Sequence, residues 1–516
     1  MSLLQRMIMS YTKRWSRTLS AALLLLAGCA KYERRPLELD QYAEDWPLRE
    51  IRVDSIREYA ETLADGEENA PYDPSDGLSL AEAEAVALVF NPQLRLARAQ
   101  ADVPLASARE AGWWPDPEFE AKVLHFANRR SRTRFRFEGP SFGGVNAGVI
   151  GANGLSADGL EITPPGFRRT EGDFINDPWI LSASLGVTIP ISGRLAVEQD
   201  WSWAEYRASW QRILISEWEL LTHLRAAWLD WSTTRERIEV IKAFIEQLAT
   251  VATMTERLAA AGELKPTDAR LLAVELARQR TALQTAESQA ELQRLGLFAV
   301  LGLAPEAPVE LQPDVFLPHI EDVPESRRDT LLRRNPRIMA VRAEYEVAEQ
   351  RLRLEVRKQY PDLNLGPSYS LEGGLSRLGL GFGIPIPLWN HNRQAVAEAI
   401  AEREAARTHA QAQIEQVFSE LARAEARLRY AAQRREMLLE DVAPLVDRQV
   451  EETRKLLDLG EVDVLVLREA LSSAVETKLE LLAATLAEAQ AVSALRQMLE
   501  PRWITPSQAE TEENDE

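Results

Sequence analysis

The chain of 516 residues holds a single cysteine, Cys29. A disulfide framework and a thiolate metal cluster are therefore both excluded. Histidine is scarce too: His125, His223, His319, His391 and His409 lie scattered, with no metal-ligand spacing among them. Basic residues are outnumbered, 60 Lys and Arg against 80 Asp and Glu, and the net charge of −20 disfavours nucleic acid as a partner. Beyond the N-terminus, no apolar run is long enough to cross a bilayer as a helix. No phosphate loop, nucleophile elbow or zinc-protease motif occurs, and nothing forms a catalytic set, so the sequence reads as a non-enzyme without cofactor or metal site. At 45% hydrophobic and 27% charged residues, it is neither disordered nor a helical membrane bundle.

What is present begins at the N-terminus. Arg6, Lys13, Arg14 and Arg17 precede the apolar run Leu19–Gly28, the arrangement of an export signal. Its end, Leu26-Ala27-Gly28-Cys29, resembles a bacterial lipoprotein box, in which the cysteine becomes the acylated first residue. Residues 1–28 are thus expected to be removed and Cys29 to carry lipid. Ala30, standing where an aspartate would retain the protein at the inner membrane, favours the outer one. An ordinary secretory signal that happens to contain a cysteine is the alternative.

The chain also repeats itself. "NPQLRLARAQ" from Asn91 matches "NPRIMAVRAE" from Asn335. "GVTIPISGR" from Gly186 matches "GFGIPIPLWNHNR" from Gly381, and "AAGELKP" around Gly262 matches "DLGEVDV" around Gly460. The order is the same in both halves: helix, strand, strand, very long helix, turn at glycine, second long helix. The first half is longer by a Gly- and Arg-rich stretch, Asn128–Asp177, which reads as an external loop between two strands. The expected divisions are an N-terminal segment at 29–76, a first repeat at 77–310, a linker at 311–327, a second repeat at 328–505 and an acidic disordered tail at 506–516.

The strands show period two. Leu181, Ala183, Leu185, Val187 and Ile189 alternate with Ser182, Ser184, Gly186 and Thr188, and Leu363–Leu371 alternates in the same way. In Leu378–Ile384 the apolar Leu378, Leu380, Phe382 and Ile384 oppose Gly379, Gly381 and Gly383. A soluble sheet with one wet face is the commoner source of such alternation. Glycine at every position of the second face argues instead for a lumen, since glycine disfavours strands and gains nothing at an ordinary solvated surface. The segment Arg194–Ala261 contains neither Gly nor Pro and amounts to roughly 100 Å of helix. Gly262 and Gly460 read as helix C-caps at the hairpin tips, and Pro444 as a kink or break that the first half lacks.

Four strands cannot close a transmembrane barrel, for which about eight is the minimum. Edge strands in lipid would leave backbone groups unpaired, so the barrel must be shared among chains: three would supply twelve strands, two would supply eight. The duplicated Asn-Pro start, the strands ending in Ile-Pro-Ile, the following Arg or Asn-Arg and the Gly-Glu turns together resemble the TolC-like outer-membrane efflux proteins, over about Gly77 to Leu499. The "IPIPLWNHNRQAVAEA" stretch is most similar to the heavy-metal-resistance branch.

The resemblance implies a mainly α fold with a small β part. Three chains would form a 12-stranded outer-membrane β-barrel continuing into a periplasmic α-helical barrel. It implies the exit channel of a tripartite system, with a homotrimer, a periplasmic adaptor (membrane fusion) protein and an inner-membrane pump of the resistance-nodulation-division type as partners. It also implies an acidic constriction just past the second hairpin, with Glu469 at one of two acidic positions and Val466 at the other. Asp463 and, in the first repeat, Asp268 are the further aperture candidates, because an inward carboxylate becomes a ring of three in a trimer. Ordinary charges favoured at helix starts by the helix dipole are the alternative. His391, between two asparagines, reads as a polar helix-start residue rather than a metal contact. A non-transporting coiled-coil lipoprotein scaffold anchored by Cys29 would explain the helices and anchor, but neither the alternating strands nor the duplication.

Overall fold

The computed structural model describes residues 32–49, 51, 56–57, 76–125, 135–138, 166–169, 179–314, 327–372, 375–458 and 464–499. The chain divides into two units, residues 1–49 and 50–516. In the first, a short helix α1 (Leu39–Asp45) runs into a 3₁₀ turn at Trp46–Leu48, and Arg49 Nη2 donates to the Tyr42 hydroxyl at 3.3 Å. The division falls within the 29–76 segment, and Ile56 is wholly buried in the second unit's core beside Leu78.

The second unit opens with α2 (Leu80–Phe90) and α3 (Pro92–Glu110). A capping box starts α2: the Ser79 N–H donates to Glu82 Oε2 at 2.9 Å, and Ser79 Oγ accepts from the Glu82 amide. Asn91 caps α3, its Oδ1 accepting from the amides of Gln93 and Leu94 at 3.0 and 2.9 Å, and Pro92 occupies the first turn, where no N–H is needed. The second half repeats the device. There α6 (Arg327–Arg334) precedes α7 (Pro336–Arg357), and Asn335 caps Arg337. The helix ahead of each Asn-Pro is an element that the repeat pattern does not announce.

Strands β1 (Glu118–His125), β4 (Trp179–Ile189), β5 (Leu363–Glu372) and β6 (Leu375–Gly383) form one antiparallel sheet in the order β1-β4-β5-β6. Between β1 and β4, within the long Asn128–Asp177 loop, β2 (Phe135–Glu138) and β3 (Gly166–Arg169) pair as a separate ribbon that lacks a sequence periodicity.

Helix α4 (Arg194–Ala261) is one element of 68 residues, about 100 Å long. It turns at Gly262, whose φ of 78° is left-handed, with the Glu263 amide donating to the Leu258 carbonyl at 3.0 Å. The chain returns as α5 (Pro266–Leu301). In the second half α8 (Arg393–Met437), a π turn at Leu438–Val442, α9 (Ala443–Asp458) and α10 (Val464–Leu499) follow the same path. The break expected at Pro444 takes the form of that π turn.

Helix α4 is the spine: it packs along α5 and α3 of its own repeat and along α7 and α10 of the other. The largest core joins Leu221, Leu224 and Trp228 of α4 to Leu94 of α3 and to Leu297 and Phe298 of α5. Full burial of each such side chain contributes about 1.5–3 kcal/mol. Near the tips, Phe244, Leu248 and Leu272 of the first hairpin meet Val464, Leu467 and Leu471 of the second. A parallel bridge ties Leu78 to Leu311 where the linker begins.

Candidate functional site: a two-faced sheet on long helical hairpins

The register sorts the four strands into two faces. Glu120, Ser184, Ser368 and Gly379 form one cross-strand row, and Lys122, Ser182, Ser370 and Arg377 another. Thr188, Asn364 and Gly383 make a third, with Thr188 Oγ1 and Asn364 Oδ1 2.8 Å apart. The opposite face carries Phe119, Leu181, Leu185, Tyr369, Leu378, Leu380 and Phe382. Leu378, Leu380 and Phe382 are 85, 72 and 79% exposed. An apolar face of this extent, standing uncovered, marks a surface that meets something other than water. Strands β1 and β6 each have a single strand neighbour among the described residues, so both sheet edges present a row of ladder groups.

Glycine on the polar face has a steric reason at one point. A Cβ on Gly366 would lie 2.0 Å from the Leu185 carbonyl oxygen. Pro367, which has no N–H to give, interrupts the β4–β5 ladder beside it. Gly379, Gly381 and Gly383 lie on that same face. A Cβ on Gly381 would find its nearest neighbour, the Gly366 oxygen, at 3.7 Å, an ordinary contact, so Gly381 reflects room rather than crowding.

Aromatic and large apolar side chains ring the helix-side ends of the strands: Trp113, Trp114, Ile191, Tyr360 and Trp389 are all exposed. At the far end Trp179 lies against His125, its register partner, with ring centroids 4.5 Å apart and the ring planes tilted by 56°. An aromatic girdle beside an apolar band is a feature of membrane-spanning β-sheets.

Polar ties hold the strand–helix junctions. Arg194, the first residue of α4, donates to both Asp362 oxygens at 3.3 and 3.1 Å, linking the first repeat to the start of β5. Asn392 Nδ2 donates to the Glu355 carbonyl and carboxylate at 2.9 and 2.8 Å. Burial pushes the Glu355 carboxyl up, but hydrogen bonds from Lys358 and Asn392 and the Lys358 and Arg351 charges bring it below its usual value. His391 and Asn392 both take left-handed backbone, φ 45° and 54°, to turn the chain into α8. His391 itself is exposed at that turn.

Deeper in the helices, Glu217 is buried with Arg98 Nη2 2.7 Å away, and burial drives its carboxyl upward against that partner. Glu84 and Arg225 form a second buried pair, with Nη2 to Oε2 at 2.8 Å. These ties, which join residues far apart in sequence, escape a reading of charge pattern.

At the tips, Asp268 sits in the first turn of α5 and Glu469 near the start of α10. The Glu469 side chain is 68% exposed and pairs with Arg468 of its own chain at 3.2 Å. Val466, one turn earlier, is also exposed. Cys29, Gly460 and Asp463 lie outside the described residues. Among those residues no group of His, Cys, Asp and Glu is placed to hold a metal ion, and no helix is long and apolar enough to cross a membrane.

A small two-faced antiparallel sheet set on paired helical hairpins of this length is a fold shared with solved outer-membrane channel proteins. Residues 328–500, within the second repeat, match the outer membrane efflux protein family. It is 27% identical over 174 residues to the cobalt-zinc-cadmium resistance protein CzcC of Cupriavidus metallidurans, a match covering 33% of this chain and 41% of that relative's length. In fold it is similar to the outer-membrane channel OprN, with a TM-score of 0.64, 18% identity, and 92% of this chain and 99% of that one covered. It is likewise similar to the outer membrane protein VceC of Vibrio cholerae, with a TM-score of 0.61, 18% identity, and coverage of 81% and 95%.

Proposed function

We propose that this protein is the outer-membrane exit duct of a tripartite efflux system. It conducts passively what an inner-membrane pump of the resistance-nodulation-division type and a periplasmic adaptor deliver to it. The observation that carries this reading is the sheet: four strands, sorted by register into an apolar and a polar face and, among the described residues, uncovered on both and open at both edges. Exposed edges in lipid cost several kcal/mol per unpaired group. Three copies remove them by closing a twelve-stranded barrel, with Leu380 and Phe382 toward lipid and Gly379, Gly381 and Gly383 toward the lumen. The long hairpins continue the tube through the periplasm, with residues 77–310 and 328–505 as its two repeats and the acyl chain on Cys29 as an accessory anchor. Glu469, Asp463 and Asp268 then contribute rings of carboxylate at the periplasmic mouth. The relative named for cobalt-zinc-cadmium resistance supports the heavy-metal branch as the setting, with the choice of substrate left to the pump. Conductance in a planar bilayer tests the proposal: purified protein should give discrete, long-lived channels. A lipid-anchored coiled-coil scaffold would give none, and that result would displace the duct.

A further inference from the structure

Strands β1, β4, β5 and β6 carry five charged residues, Glu118, Glu120, Lys122, Glu372 and Arg377, and the register places all five on the polar face. They are sorted by sign along it. Glu118 lies nearest the helices, in a row with Gly186, Gly366 and Gly381, and is the one side chain of that row. Glu120 follows in the next row, with Ser184, Ser368 and Gly379. Both positive groups come after it, Lys122 and Arg377 sharing a row with Ser182 and Ser370. Glu372 stands beyond them, at the end far from the helices, among Leu124, Ile180 and Leu375.

Lys122 Nζ lies 2.7 Å from Glu120 Oε1, and Arg377 Nη1 lies 3.5 Å from Glu372 Oε2. Both cations are exposed, so these pairs place charge at the surface of the sheet and add little to its stability. Each cation leans on a carboxylate of an adjacent row, one toward the helices and one away. Successive rows on one face are about 7 Å apart along a strand, which sets the cationic row about 14 Å from Glu118. That exceeds the Debye length of about 10 Å at 0.1 M salt. An ion moving along this face therefore meets two fields of opposite sign in turn, not their average.

We propose that the barrel lumen is a bipolar pore, acidic at Glu118 and Glu120 toward the periplasm and basic at a collar of Lys122 and Arg377 toward the outside. This inference rests on the barrel of three copies proposed above, in which each of these rows becomes a ring. The glycines of the Glu118 row leave its carboxylate without a competing side chain, so that row reads as purely acidic. Such a lumen fills with cations at its Glu118 end and with anions at the collar. A field that drives cations outward brings both carriers to the junction between the two ends, and conductance is high. The reverse field draws both away and empties the junction. The permeant class favoured in the outward direction is thus a cation, and the collar opposes the entry of cations and polycations from outside.

Single-channel recording of the full-length protein, inserted from one side of a planar bilayer in potassium chloride, tests this. At 0.1 M salt the current should be larger, by roughly twofold, when potassium is driven from the helical mouth outward, and the asymmetry should vanish at 1 M, where the Debye length is about 3 Å. Lys122→Gln with Arg377→Gln should make the currents nearly symmetric at 0.1 M while the assembled band on gels persists. Glu118→Gln, which weakens the opposite pole, should reduce the asymmetry independently. Symmetric currents in the unaltered protein at 0.1 M would overturn the bipolar lumen and leave the duct standing. Asymmetry that persists undiminished in these variants would also overturn it, by assigning rectification to the carboxylates of the periplasmic mouth. A protein that forms no channels would overturn the duct, and this inference with it.

Discussion

Leu380 and Gly381 are adjacent in β6 yet face opposite ways, and an arginine placed at each in turn separates lipid from lumen. Leu380 opposes Pro367, whose β4 neighbour is Leu185 and whose β1 neighbour beyond that is Phe119, an unbroken apolar row near mid-strand. An arginine there enters lipid near the bilayer midplane at about 2–4 kcal/mol per chain. In the proposed barrel of three copies, Leu380→Arg would cost the assembly about 6–12 kcal/mol. At roughly 1.4 kcal/mol per tenfold, that depletes the assembled form by at least four orders of magnitude. Gly381→Arg carries no such cost: its row is Glu118, Gly186 and Gly366, no atom approaches its Cβ direction closer than 3.7 Å, and the strand loses a glycine. Heat-modifiable migration on denaturing gels of outer-membrane fractions reads assembly, and single-channel recording reads the lumen. Leu380→Arg should abolish the assembled band, whereas Gly381→Arg should keep it and lower cation conductance. Equal tolerance of the two variants would refute the two-faced sheet.

Other positions give independent checks. Gly302 has a φ of 70°, and a Cβ there would meet the Phe90 carbonyl oxygen at 2.2 Å; Gly302→Ala should therefore destabilise by about 2–5 kcal/mol, seen as a lower melting temperature. Arg98→Met leaves the buried Glu217 without its partner, a loss of about 3–5 kcal/mol at neutral pH. Because the folded state holds the Glu217 proton more tightly than the unfolded chain, that carboxyl's contribution is full below its unfolded value near 4.5 and is lost as pH rises through its raised folded value. The variant should thus lose more stability at pH 8 than at pH 5.5, and adding Glu217→Gln should flatten the difference; equal losses at both pH values would argue against it. Glu469→Gln should weaken cation selectivity or block by multivalent cations, and unchanged recordings in it and in Asp463→Asn would leave these as ordinary helix-start charges. The mature N-terminus should be an acylated Cys29 by mass spectrometry, and Cys29→Ser behind a cleavable signal should still reach the outer membrane.

Much of this architecture is legible in the sequence because its signals are local. Helix α4 runs between Gly193 and Gly262 with no Gly or Pro between them, and the observed helix fills that interval. The strands follow from period two, which survives because one residue of slip would turn every side chain over. Helix α2 was within reach as well, since Ser79 and Glu82 spell a capping box before an apolar run, whereas α6 is arginine-rich and offers no such cue. The β2–β3 ribbon has no periodicity to read. The Glu217–Arg98 and Glu84–Arg225 pairs join residues more than a hundred positions apart, so each charge alone looks like part of a solvated helix face. The candidate site divides along the same line: the faces of the sheet were readable from alternation, but the junction ties at Arg194 and Asn392 required the fold.

The two halves diverge where copying alone would not work. Pro444 has no N–H for the Glu440 carbonyl, and its ring would crowd that turn of an α-helix. The chain answers with one wider turn, the Ala443 amide reaching back to the Leu438 carbonyl, and then resumes as α9. Helix α4 needs no such adjustment and stays continuous.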